Sequence, residues 1–143
     1  MSPRITVRKK RNPNRPTVPK GPTRVKVGFP RGTSSAELDK AVFNNFGTED
    51  IPERPFMSNA IEDNKSNYRR AMRRAAPKIL SGKETLARTL SKLGIYAEGH
   101  IKVEITELRI PGNAPATIKQ KGSSNPLIEH GTMRAAVTHK VEK

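Results

Sequence analysis

The stretch SGKETLARTLSKLGIYAEGHIKVEITELRIP, residues 81–111, decides the fold of this chain. Its apolar residues recur at every third or fourth position, which is the spacing of one face of a helix: Leu86, Leu90, Leu93, Ala97, Ile101, Ile105 and Leu108. Ser81 and Glu84 have the spacing of a capping box, and Pro111 cannot continue a helix. The stretch therefore predicts a helix between these two signals, and we expect it to be the longest element.

The same stretch also permits a strand. Residues 101–106 alternate between apolar and polar side chains, and Gly94 and Gly99 would weaken a helix. We prefer the helix because its apolar stripe stays in phase as far as Leu108.

A second amphipathic helix is predicted upstream, from about Ser58. Its apolar stripe runs through Ile61, Tyr68, Met72, Ala75 and Ile79, and its opposite side carries a group of four arginines. Pro77 lacks a backbone donor, so we expect the helix to kink or end there.

The elements nearer the N-terminus are shorter. Residues 24–29 alternate as a half-buried strand does, and Pro30 stops them. A short helix is predicted from Ser35 until Gly47 ends it. Residues 51–57 contain two prolines, which favours an edge strand or a strapped loop.

The C-terminal part combines a loop with a strand. Residues 111–126 are polar and form a long connection, and residues 133–141 show partial alternation that indicates a closing strand. The predicted fold class is α+β: a small mixed sheet packed with two longer helices, an extended basic N-terminal arm and a long loop before the C-terminal strand.

The N-terminal region differs from the rest in composition. It combines many basic residues with five prolines and has no acidic residue, so it cannot bury enough apolar surface to fold alone. We therefore predict a basic, proline-rich arm over residues 1–23 and one α+β domain over residues 24–143. The formal net charge of +15 implies anionic partners without saying which.

The chain offers no pattern typical of an enzyme. It has no cysteine, its three histidines are scattered, and no serine lies in a nucleophile motif. Glu49, Asp50 and Glu53 cluster, but we interpret them as an exposed acidic turn. We expect no enzyme activity, no cofactor and no metal site. Since no apolar run could cross a bilayer and the N-terminus lacks a secretory pattern, we expect a soluble protein made in a cytoplasm.

The four arginines of the second amphipathic helix form a candidate binding surface. A charged helix face is usually only solvated, but guanidinium groups suit bidentate pairing with carboxylate or phosphate. Stacking aromatics are nearly absent, which disfavours recognition of RNA or single strands.

Two stretches of the chain are distinctive: FGT followed by IPERPFM, within residues 46–57, and KGSSNPLIEHG, residues 121–131. Together with the rest of about residues 24–141, they resemble the neck or tail-completion proteins of tailed bacteriophages, a family also described as minor tail or virion-morphogenesis proteins. The family tends to have Asp-Thr in place of Glu129 and His130, and often an acidic residue in place of Asn45.

The resemblance implies a structural ring subunit of α+β fold, which lies between the head connector and the tail and joins them. Leu127 and Ile128 would then anchor the return of the long loop to the core.

The resemblance and the charge pattern together give the expected partners. These are a homo-oligomeric ring of six or twelve copies, the head connector, and the tail terminator or tail tube proteins, with passing contact to genomic DNA and none to a membrane. The expected location is the virion, after assembly in the bacterial host cytoplasm. The alternative is a basic DNA- or RNA-binding protein. The predicted partner-binding residues are Arg4, Arg8, Lys9, Lys10, Arg11, Arg15, Arg69, Arg70, Arg73, Arg74, Pro126, Leu127 and Ile128.

Overall fold

A computed structural model describes residues 19–143 of the chain. Two short strands and five helices follow one another in this order: β1 (Arg24–Gly28), α1 (Ser35–Phe46), α2 (Phe56–Leu80), α3 (Leu86–Glu107), α4 (Pro115–Lys121), α5 (Thr132–Ala136) and β2 (Thr138–Glu142). The mixture of helices with a small antiparallel sheet confirms the predicted α+β class. The division into an arm and a domain at residue 23 stays a prediction.

Helix α3 lies at the centre of the molecule. It packs against α2 on one side and against both strands on another. Its predicted apolar stripe is buried, with Ile101 and Ile105 fully excluded from solvent. The alternative strand over residues 101–106 is therefore wrong: both sides of α3 have neighbours to pack against, and these bury a helical stripe.

The sheet consists of β1 and β2 alone among the described residues, paired antiparallel, so the expectation of a mixed sheet is wrong. Val25 lies opposite Val141 and Val27 lies opposite His139, and Val25 and His139 contact α3 at Gly94. The alternate residues face away from α3, where Lys26 pairs with Glu142 at 2.8 Å. The strand prediction for residues 24–29 is confirmed to within one residue.

The predicted capping box at the start of α3 is wrong. The N-cap residue is Thr85, whose side-chain oxygen accepts the backbone N–H of Arg88 at 3.2 Å. Glu84 pairs instead with Lys92 at 2.6 Å, and this carboxylate is therefore unavailable to cap the helix at Ser81.

Helix α2, with 25 residues, is longer than α3, with 22, so the prediction that α3 is the longest element is wrong. Helix α2 begins at Phe56 and continues past Pro77 to Leu80. Pro77 lies in the last turn, and its carbonyl accepts the N–H of Ser81 at 3.0 Å, so the final turn closes despite the missing donor.

The segment between α1 and α2 is a strapped loop, and the alternative of an edge strand over residues 51–57 is wrong. Arg54 donates its backbone N–H to the carbonyl of Asn44 at 2.7 Å. This bond holds the loop against α1, whose predicted extent from Ser35 to Phe46 is confirmed.

The long connection and the closing strand each contain an unpredicted helix. Within residues 111–126 the chain forms α4, with Pro115 in its first turn, where the missing donor has no cost. Residues 132–136 form α5, whose Met133 is buried, so β2 begins only at Thr138. In this region the alternation of apolar residues misled because one helical turn also buries Met133 and Val137, which are four residues apart.

Gly94 and Gly99 give a matched test of the packing of α3 on the sheet. A Cβ atom at Gly94 would overlap the imidazole of His139 and crowd Val25, whereas a Cβ at Gly99 would meet open space. We expect Gly94→Ala to lower the free energy of unfolding by about 1–2 kcal/mol through overpacking. Gly99→Ala should leave it unchanged or raise it by up to about 1 kcal/mol, as helix propensity dictates.

Urea unfolding of the two variants beside the wild type measures both effects. Equal stabilities of the Gly94→Ala and Gly99→Ala variants would contradict the close approach of β2 to α3.

Candidate functional site

The arginine face of α2 is formed by Arg69, Arg70, Arg73 and Arg74. All four side chains are exposed, and within residues 19–143 none of them takes part in an ion pair or a side-chain hydrogen bond. The spacing of the four residues places them in two neighbouring rows along one side of the helix. On the same side of the helix, Glu62 is already paired with Lys65 at 2.9 Å, and Asp63 alone among the nearby carboxylates makes no ion pair within residues 19–143. This surface therefore has unused capacity to bind carboxylates or phosphates.

The opposite side of α2 explains why the arginines point outward. Phe56 and Ala60 are buried in the core, and Tyr68 lies between α2 and α3 with its hydroxyl 2.7 Å from His100 Nδ1. Burial raises the pKa of Tyr68 above its ordinary value. The inner face is thus fixed on α3.

A depression lies between α2 and α3, beside the arginine face, with a volume of about 230 Å³. Ala75, Leu93 and Tyr96 contribute apolar surface to it, and Arg74 and Lys78 contribute positive charge. Glu84 and Lys92, which pair with each other, also line it. Tyr96 is 63% exposed, although it is an aromatic residue in the middle of α3. The basic surface therefore adjoins an apolar hollow.

The IPERPFM segment contains a buried arginine, Arg54, whose hydrogen bonds join several parts of the fold; we call it the structural centre. Arg54 is only 3% exposed, and its guanidinium donates to the carbonyls of Pro111 at 2.7 Å and Gly112 at 2.9 Å. It also donates to the side-chain oxygen of Asn44 at 2.8 Å and more weakly to that of Asn113 at 3.4 Å. All of these acceptors are neutral, and burial lowers the pKa of Arg54. The residue joins α1 to the segment that follows α3.

The KGSSNPLIEHG segment is organised by Asn125. Its side-chain oxygen accepts the backbone N–H groups of Leu127 and Ile128 at 3.0 and 3.1 Å, and its amide donates to the carbonyl of Thr106 at 2.9 Å. Pro126 and Leu127 are buried, and Ile128 packs half-buried against the core. These three residues therefore have an internal packing role, and any contact that they make with a partner stays a prediction.

The remaining predicted partner residues belong to the arm. Arg4, Arg8, Lys9, Lys10, Arg11 and Arg15 lie outside the described residues.

The sequence analysis missed a charged cluster between α3 and β2. Glu98 pairs with Lys102 at 2.5 Å and lies 2.9 Å from His139 Nδ1. Hydrogen bonds from Lys102 and His139 hold the pKa of Glu98 below its ordinary value. Only the Glu98 and Lys102 spacing is visible in the sequence, since His139 lies 41 positions away along the chain.

The acidic turn predicted at Glu49, Asp50 and Glu53 is exposed, as expected. We call residues 46–53 the acidic tip. Thr48 closes it: its hydroxyl accepts the backbone N–H of Ile51 at 3.0 Å, and its own N–H donates to the carbonyl of Ile51 at 2.8 Å. Phe46 at its base is 71% exposed. The tip is a well-defined turn that combines negative charge with an exposed aromatic ring.

Residues 19–143 contain no group of three or more His, Cys, Asp or Glu side chains that could hold a metal ion. No helix in this part of the chain is both long and apolar enough to span a bilayer.

No family model matches the chain, and no curated protein or solved structure matches it significantly.

Replacement of Arg54 tests the structural centre. We expect Arg54→Met to lower the free energy of unfolding by roughly 2–4 kcal/mol, because it keeps the apolar stem but leaves several buried acceptors without a donor. Arg88→Met is the matched control: it removes an exposed arginine and should change the stability by less than about 0.5 kcal/mol. Denaturant unfolding measures both, and equal effects would show that the buried guanidinium contributes no more than a surface one.

The charged cluster predicts a pH dependence. Because the pKa of Glu98 is lower in the folded than in the unfolded chain, the hydrogen bonds that its carboxylate accepts stabilise the fold at neutral pH, and this contribution is lost as the pH falls below about 4. Glu98→Gln should therefore lose less stability than the wild type between pH 7 and pH 3, as measured by urea unfolding at each pH. Glu107→Gln, an exposed carboxylate on the same helix, should behave as the wild type does. An unaltered pH dependence in Glu98→Gln would refute the assignment.

Proposed function

We propose that this protein is a structural subunit of a tailed-bacteriophage virion, which forms a ring at the head–tail interface and joins the tail to the head connector. It acts as a neck or tail-completion protein and carries out no catalysis. The observation that carries the proposal is the hydrogen-bonded link, through Asn113, between the two segments that resemble that family.

These segments are more than fifty residues apart in the sequence, yet a chain of hydrogen bonds joins them in the folded protein. Arg54 of the first segment donates to Pro111, Gly112 and Asn113, and Asn113 in turn donates to the carbonyl of Asn125 in the second segment, at 3.4 Å. Short chance matches would have no reason to meet in one hydrogen-bonded network. The resemblance thus involves the residues that organise the fold, which supports a likeness of the whole domain.

The exposed surface is of the kind expected for a protein that contacts neighbouring subunits. The arginine face and the acidic tip are both exposed and charged with opposite sign, and large apolar side chains such as Phe46, Tyr96 and Ile110 are also exposed. The proposed partners are other copies in a ring of six or twelve, the head connector, and the tail terminator or tail tube proteins. The basic arm would pair with acidic surfaces of these neighbours, and genomic DNA would make only passing contact.

The physical reason to place the positive charge against protein concerns DNA passage. A channel lined with many guanidinium groups would displace counterions and hold the phosphates, which slows transport. A neck subunit works better when its arginines are neutralised by carboxylates of neighbouring subunits.

The alternative is a basic DNA- or RNA-binding protein, and the unpaired arginine face favours it. Such a protein would bind duplex DNA with an affinity that falls steeply with salt, and it would remain a monomer without nucleic acid. Sedimentation of the purified chain, with and without a short duplex, separates the two functions.

Removal of the protein from the phage that encodes it tests the proposal directly. We expect DNA-filled heads and separate tails, or tails with an unstable end, in electron micrographs, because the connector and the tail would lack the ring between them. Wild-type protein supplied in trans should restore infectious particles, and so should the surface control Lys119→Ala. A normal yield of infectious particles without the protein would refute the virion function.

A further inference from the structure

We propose that copies of this protein associate head to tail, with the acidic tip of one copy inserted at the α2–α3 depression of the next and its carboxylates set against the arginine face. The proposal rests on the ring function proposed above and assigns the contact that builds the ring.

The first argument is the separation of charge on one chain. From Ala41 to Glu53 there are three acidic residues and no basic one. Within residues 19–143, Glu49, Asp50 and Glu53 make no ion pair, just as the arginine face makes none. Most other carboxylates of the described chain, including Glu84, Glu98 and Glu142, are paired internally. Two unpaired surfaces of opposite sign on the same molecule are complementary to each other in a second copy.

The second argument is apolar. Phe46 is the most exposed aromatic side chain in the described chain, and it stands at the base of the acidic tip. The depression beside the arginine face presents Ala75, Leu93 and Tyr96 and has a volume of about 230 Å³. This depression is open to solvent, and its volume exceeds that of an apolar cavity of roughly 150 Å³ that holds a benzene molecule, so there is room for a phenyl ring. The tip therefore has an apolar centre with an acidic rim. The depression has an apolar centre bordered by the cations Arg74 and Lys78, unpaired within residues 19–143, and by the Glu84–Lys92 ion pair, so its rim carries net positive charge.

The third argument is rigidity. The bonds of Thr48 close the tip, and Gly47 has a φ of 74° while a Cβ atom there would lie 3.0 Å from the backbone nitrogen of Glu53. Arg54, directly after the tip, is held in the core. A tip that is already ordered loses little conformational entropy on binding.

A contact of this kind can build a ring. The tip and the depression are different surfaces, so the contact is heterologous, and repetition of one heterologous contact gives a ring when the rotation closes. A second copy is thus a better occupant than an unrelated acidic partner, since every copy supplies both halves.

Charge exchange between two variants tests the contact. Arg70→Glu/Arg74→Glu makes the face acidic, and Glu49→Lys/Asp50→Lys makes the tip basic. The self-association constant of each variant alone should fall by about tenfold or more, because the charges at the contact then have the same sign and repel each other. An equimolar mixture should recover it, since each tip then meets a face of opposite sign. The full-length chain is measured by sedimentation velocity at low and high salt, and the wild type should associate more weakly at high salt.

Two controls make the result specific. Arg31→Glu/Lys119→Glu changes the net charge equally at exposed positions elsewhere and should associate as the wild type does. Phe46→Ser should weaken association, whereas Ile110→Ser, at an 86% exposed position, should not. Circular dichroism melting confirms that each variant is folded.

The outcomes separate this contact from the ring itself. If the wild type assembles and the charge variants assemble equally well, the ring stands and this contact is wrong. If the wild type is a monomer at every concentration, the contact is also wrong. The virion function is then tested separately, by the electron micrographs of particles made without the protein. If Arg70→Glu/Arg74→Glu loses only the binding of a short DNA duplex, the arginine face is a nucleic-acid site and the proposal fails.

Discussion

The burial of the Arg54 guanidinium is the constraint on which the arrangement of this fold depends. Removal of a charge from water is costly unless other dipoles replace the water, and here neutral oxygens from Asn44, Pro111 and Gly112 do so. These acceptors come from the end of α1 and from the segment after α3, so both must be in place before Arg54 can be buried. The residue thereby couples the loop before α2 to α1 and to the segment after α3.

The second constraint is the close approach of the sheet to α3. A sheet of only two strands has little stability alone, so its apolar side must pack on another element. Gly94 allows this because the His139 ring occupies the space where a side chain would stand. His139 also lies next to Glu98, so the same residue combines packing with a polar contact. With the sheet on one side of α3 and α2 on another, the arginines of α2 are left facing solvent.

The distribution of charge links this architecture to assembly. The chain has 28 basic and 13 acidic residues, so its carboxylates cannot neutralise all of its cations. Several carboxylates pair within the subunit, while those of the acidic tip stay exposed at one end of α1. Under the proposed head-to-tail contact, association between copies would satisfy both surfaces, and the positive charge would be directed to protein in place of DNA. Salt screens the charges of such a contact and so weakens it. The contact is also specific, because the apolar centre of the tip must fit the depression.

The sequence by itself determined the helical and extended character of most segments. The stripes of α2 and α3, the start of α1 at Ser35 and the strand at Arg24 follow from local periodicity and from breakers such as Gly47, which act within a few residues. Local signals failed where contacts distant in sequence decided the outcome. Met133 was assigned to a strand because alternation and one helical turn both bury it and Val137. The capping box at Ser81 failed because Lys92 binds Glu84. The four arginines were found from the sequence, since an amphipathic helix must expose its charged side. Only the tertiary structure decided three features: the role of Arg54, the charged cluster at Glu98 and the depression beside Tyr96. Each of them depends on groups from separate elements that folding brings together, and the spacing of residues in the sequence does not specify such contacts.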